Sequence, residues 1–66
     1  MSQFYVKSDE DIRRCKEAVS SRMPIIISVW PDGEAQARVF QGVVQSVQEI
    51  SAPKQKTLYL VTMIDD

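Results

Sequence analysis

Alternation of apolar and polar positions dominates the middle of the chain. Ile25, Ile27 and Val29 point one way, and Ile26, Ser28 and Trp30 the other, which is the period of a β-strand. Apolar residues on both faces predict a central strand covered on both sides, or a curved sheet. Pro31-Asp32-Gly33 then reads as a tight turn. Proline supplies the φ of the first central residue, and glycine accepts the positive φ that follows. A second run extends from Glu34 to Ile50, with Ala35, Ala37 and Val39 alternating with Gln36 and Arg38. Its phase breaks at the adjacent Val43 and Val44, just after Gly42. An interior glycine beside such a break predicts a bulge or sharp bend, so that one strand serves two halves of a small barrel.

The flanking segments complete the set. Gln3 to Lys7 alternates over five residues and predicts a short strand. Ser8 is a natural helix N-cap, and Asp11 three residues later completes a capping-box-like pattern. Asp9, Glu10 and Asp11 place negative charge at the positive end of the helix dipole. Ile12, Cys15, Val19 and Met23 share one helical face, with Asp9/Arg13, Glu10/Arg14 and Arg13/Glu17 spaced as i, i+4 pairs elsewhere. Pro24 drives Met23 out of the helical region, so the helix is expected to end between Ser20 and Arg22. Ser51-Ala52-Pro53-Lys54-Gln55 reads as a turn or loop, and Lys56 to Ile64 as the last strand, its Leu58, Leu60 and Ile64 opposing Tyr59, Val61 and Met63. The order is a short β, an α, then three antiparallel strands. This predicts an α+β domain over residues 1–66, with an N-terminal helix packed on a strongly bent three- or four-stranded antiparallel sheet. The sheet is expected to form a partly open SH3-like or Sm-like small barrel.

Composition narrows the functional classes. At 66 residues the core is small and the stability margin thin. The single Cys15 cannot form an intrachain disulfide, and with no histidine in the chain there is no zinc site of ordinary type. Packing and self-association remain as supports. A dimer through an exposed strand edge is therefore expected, with the final strand as the pairing edge. A net charge of -1 opposes, without excluding, a nucleic-acid-binding surface, for which a basic patch is expected. No segment reads as a signal peptide or membrane span, which predicts a cytoplasmic protein, of the size common among phage and mobile-element accessory proteins.

Candidate chemistry is sparse. Cys15 lies on the apolar stripe and reads as core, because a reactive thiolate needs a positive or basic neighbourhood. The three N-terminal acids diverge and read as capping, and Asp32 and Glu34 read as turn residues with nothing to shift their titration. There is no glycine-rich phosphate loop, no histidine base and no acid pair in a cleft, so no catalytic residue, metal or cofactor is expected. Tyr5, Phe40 and Tyr59 are expected in the core. Trp30, ending a strand beside a proline, is a partner anchor if exposed. Arg38, Lys54 and Lys56 are expected on a solvated face. Gln36, Gln41, Gln45 and Gln48 give the long strand uncharged outer positions that suit an interface. The candidate partner surface is therefore Trp30, Arg38, Gln41, Gln45 and Gln48.

Gly42-Val43-Val44-Gln45-Ser46-Val47-Gln48 is similar to the glycine-plus-alternation stretch in the second strand of bacterial Sm-like proteins. The resemblance spans Ser8 to Gln48 in element order. It implies an oligomeric RNA or other nucleic-acid binder as the alternative to a protein-interaction module. That family's later strands, and the basic residues on them that contact RNA, have no counterpart here. The primary expectation is a small non-enzymatic module that binds another protein.

Overall fold

The computed structural model describes residues 1–31, 33–50 and 58–65. The elements are β1 (Ser2–Val6), α1 (Asp9–Ser21), β2 (Ile25–Val29), β3 (Arg38–Ile50) and β4 (Leu58–Asp65). They form an α+β domain in which one helix packs on a curled, four-stranded antiparallel sheet, a half-barrel with the order β1-β4-β3-β2. The loop expected at 51–55 lies outside the described residues, as does Asp32 of the first turn.

Local chemistry explains the helix. The Ser8 hydroxyl accepts a hydrogen bond from the Asp11 amide at 3.1 Å, satisfying one of the free donors of the first turn. Asp9, Glu10 and Asp11 occupy that turn. At the other end Arg22 adopts the left-handed conformation, φ 58°, and its amide bonds to the Ala18 carbonyl at 2.9 Å, so the helix stops where Pro24 requires. β1 and β2 stand at opposite edges of the sheet. The connection must cross the mouth of the half-barrel, and thirteen helical residues, about 20 Å long, exceed the roughly 14 Å width of four strands.

The crossing closes the core. Cys15 and Ala18 of α1 meet Phe4 and Val6 of β1, Ile27 and Val29 of β2, Val44 of β3, and Val61 and Met63 of β4. Ile12, Val19, Phe40, Val47 and Tyr59 pack around this cluster. Phe4 stacks on Phe40, ring centroids 4.4 Å apart, and so joins the first strand to the third across the interior.

β3 has the bend the sequence requires, but the glycine and the bulge are separate devices. Arg38 to Gly42 pair with β2, and Gly42 to Ile50 pair with β4. Gly42 is the corner, opposite Ile25 on one side and Asp65 on the other. Its φ is +156°, and a Cβ there would collide with the backbone carbonyl of Ile64. The bulge follows at Gln45, where the register skips between Val44 and Ser46. Without it, Ser46 and Gln48 would continue the inward phase of Val44. With it, Val47 turns inward and joins the core.

Three expectations need correction. The final strand is not an edge: β4 lies between β1 and β3, and the edges are β1 and β2. Of the two readings of Ile25 to Trp30 the curved sheet holds, and β2 is not a central strand covered on both faces, because it lies at an edge and Ile26 is 57% exposed. The second run enters the sheet at Arg38 rather than Glu34. The reason is local. The Glu34 amide bonds to the Pro31 carbonyl at 3.2 Å, which makes Pro31 the first corner of the turn rather than a central residue. The Trp30 indole then donates to the Glu34 carbonyl at 2.8 Å, holding residues 30–37 as a closed loop.

The two special backbone positions give predictions of opposite sign. Gly42→Ala should cost about 3 kcal/mol or more, because backbone must move to admit the methyl group. Arg22→Gly should stabilise by up to about 1 kcal/mol by relieving a left-handed non-glycine residue. Urea denaturation with both variants checks the pair, and equal effects would refute this account of the bend.

Candidate functional site

The sheet separates two surfaces of different character. The first is a groove of about 1130 Å³ along β1. Phe4, Val6, Val29 and Phe40 supply its apolar lining, and Trp30, Pro31, Glu34 and Arg38 form the opposite wall. Trp30 is 66% exposed, with its indole N–H already committed to Glu34. Arg38 forks onto Glu34 from the next turn of the loop, Nη2 to Oε1 at 2.6 Å and Nε to Oε2 at 3.0 Å. That carboxylate favours the charged guanidinium.

The strand edges beside this groove differ. On β2 the Arg14 guanidinium donates to the Ile26 carbonyl at 3.0 Å, so a charged side chain from α1 covers that edge in place of the expected pair with Glu10. β1, with the sequence Ser-Gln-Phe-Tyr-Val, has neither charge nor proline, nor any bulge in its register with β4. Natural edge strands usually carry one of these guards against further pairing.

The second surface is the outer face of the sheet. Gln3 and Tyr5 of β1, Ile26 and Ser28 of β2, Val39, Gln41, Val43, Ser46 and Gln48 of β3, and Leu60, Thr62 and Ile64 of β4 share it by register. None of these residues is charged, although 26% of the chain is Asp, Glu, Lys or Arg. Tyr5 is 57% exposed, Val39 65% and Ile64 49%. The charges collect on α1 and around the groove instead. Lys16, for example, lies 4.7 Å over the ring of Tyr59.

The five residues of the candidate partner surface do not form one patch. Gln41 and Gln48 belong to the outer face, and Gln45 is exposed at the bulge. Trp30 and Arg38 belong to the groove wall. Phe40 is half-buried in the core, as expected, whereas Tyr5 is exposed. Lys54 and Lys56 lie outside the described residues. Sequence reasoning missed the β1 edge and the apolar members of the outer face. The run of three isoleucines, 25–27, was the available signal for that face, since one of three consecutive strand residues must point away from the core.

Cys15 is fully buried, and burial, reinforced by Asp11, pushes its thiol up to about 11. Among the described residues no three of His, Cys, Asp and Glu gather where they could hold a metal ion. No helix among them is long and apolar enough to cross a membrane. No family model, curated protein or solved structure matches the chain.

The thiol yields a prediction. Its folded pKa lies above its ordinary value of 9.0, so folding favours the protonated form. This contribution to stability is complete below about pH 9 and is lost as the pH rises towards 11, because the unfolded chain ionises first. A thiol reagent at pH 8 should leave Cys15 unmodified in the native protein and label it fully in urea. Rapid native labelling would contradict its place in the core.

Proposed function

We propose that the protein is a non-enzymatic interaction module that binds an extended segment of another protein along β1. The observation that carries this reading is the β1 edge beside an apolar groove, which no charge, proline or bulge of its own strand guards among the described residues. A half-barrel with an open seam can accept one further strand. Backbone hydrogen bonds along the edge would supply affinity, and alternate side chains of the incoming segment would enter the apolar lining. Trp30 offers a large apolar surface at the rim, the type of residue that anchors such contacts. Phe4 and Phe40 give the groove a firm base, because their stacked rings are already packed.

The groove favours an uncharged or weakly charged segment over a nucleic-acid backbone. Two cations, Lys7 and Arg38, stand in its described lining with two acids, Asp11 and Glu34, and Arg38 is neutralised by both oxygens of Glu34. A phosphate would have to displace that bidentate partner.

Selection from a displayed library of random peptides tests the reading. The recovered sequences should alternate apolar and polar residues. A synthetic representative should shift Trp30 fluorescence and bind with little dependence on salt. Trp30→Ala should weaken its binding by roughly tenfold or more, as for an interface anchor. Sequences without alternation, or binding indifferent to Trp30→Ala, would reject strand addition at this edge.

A further inference from the structure

We infer that the ion pair of Glu34 and Arg38 sets the charge preference of the groove, so that the segment it takes is uncharged where it faces the Trp30 wall. The inference rests on strand addition along β1 and names the residues that select the strand.

Arg38 is an unusual residue for its place. It stands opposite Val29 in the β2–β3 ladder, two residues before Phe40, and so shares the inward face of the half-barrel with both. Val29 and Phe40 belong to the apolar lining of the groove. A lone guanidinium beside them would draw carboxylates or phosphates into the open seam. Glu34 prevents this. Its two oxygens accept from Nη2 at 2.6 Å and from Nε at 3.0 Å, a bidentate fork.

The closed pair disfavours both signs of charge. An incoming carboxylate reaches Arg38 only by displacing Glu34, and leaves that acid unpaired beside it. An incoming ammonium group meets the converse, since it must draw Glu34 away from Arg38. An uncharged side chain disturbs neither and is free to lie on the indole of Trp30.

The backbone and side chain of Glu34 serve different ends. Its amide donates to the Pro31 carbonyl, and its own carbonyl accepts the Trp30 indole N–H, so loop and anchor are held by groups that a substitution leaves in place. Only the carboxylate engages Arg38. Charge selection is therefore separable from the position of Trp30. The side chains of Arg38 and Glu34 are 63% and 37% exposed, so the pair adds little to stability and the fold tolerates its loss.

Two reciprocal variants test the inference. Glu34→Gln uncovers the cation, and Arg38→Gln uncovers the acid. Lys7 and Asp11, the other charges of the described lining, are common to both and cancel in the comparison. Trp30 is the one tryptophan of the chain, so quenching of its fluorescence reads the potential at the wall without any ligand. At constant low ionic strength, iodide should quench Glu34→Gln about twofold more efficiently than wild type and Arg38→Gln about twofold less, the effect of one unit charge several ångströms away in water. Caesium should show the reverse order. Neutral acrylamide should quench all three proteins alike, because Trp30 keeps its backbone partner. Peptide selection reads the preference itself. Segments recovered on Glu34→Gln should gain acidic residues, and those on Arg38→Gln basic ones. A wild-type segment given one glutamate at the position facing the wall should bind Glu34→Gln roughly threefold to fivefold more tightly than it binds wild type, the scale of an exposed ion pair. Iodide and caesium constants that do not move in opposite directions, or segments of the same charge from all three proteins, would overturn the role of the pair while leaving strand addition standing. Recovery of no alternating segment on the wild-type protein would reject strand addition itself, and this inference with it, whatever the quenching shows.

Discussion

The close approach of Gly42 to the Ile64 carbonyl is the constraint on which the rest of the structure depends. β3 exchanges partners at this residue, pairing with β2 before it and with β4 after it. Only a residue without a side chain lets the two ladders meet so closely. If the corner were relaxed, the sheet would flatten, and α1 would no longer span a curled surface. The Phe4–Phe40 stack would be lost with it, since that contact exists only because the first strand and the start of the third curl towards each other. The bulge at Gln45 then corrects the phase that the corner alone would leave wrong, and turns Val47 inward.

This curl also determines which strand edges remain open. A small half-barrel has two, and here they are treated differently. α1 crosses from β1 to β2 and brings Arg14 onto the carbonyl of Ile26, so one edge is covered by the element that closes the core. Among the described residues the other edge receives no such guard. A guanidinium on a strand carbonyl adds little to stability at an exposed site, but it occupies an acceptor that an incoming strand would need. The asymmetry therefore bears on recognition more than on stability.

Much of this architecture was legible in the chain. The helix limits followed from Ser8 and Pro24, which act through neighbours and need no tertiary context. Gly42 was visible because a glycine beside a phase break rarely has another meaning. Strand order was not legible. Period-two alternation says which residues face inward but not which strand lies next to which, and β4, expected at an edge, is central. The start of β3 was misplaced because Ala35 and Ala37 satisfy alternation, while the Trp30 and Arg38 contacts that hold the loop closed link side chain to backbone and side chain to side chain. The candidate surface was half legible. Gln41 and Gln48 marked the outer face, but Gln45 stands at the bulge, Gln36 precedes β3, and Trp30 and Arg38 belong to a different wall, which no spacing rule distinguishes.

The meeting of these surfaces has a physical consequence. The outer face and the groove adjoin at β1, where Gln3 and Tyr5 of the outer face also line the groove, and the side chains of neighbouring residues on that strand point different ways. Tyr5 stands on the outer face while Phe4 and Val6 line the interior beside the groove. Whatever seats in the groove along β1 therefore also meets Gln3 and Tyr5 of the outer face. A thin core and bare apolar surface are one property: a sheet this small leaves outward the apolar area of Ile26, Val39 and Ile64 that a larger domain would have buried within itself.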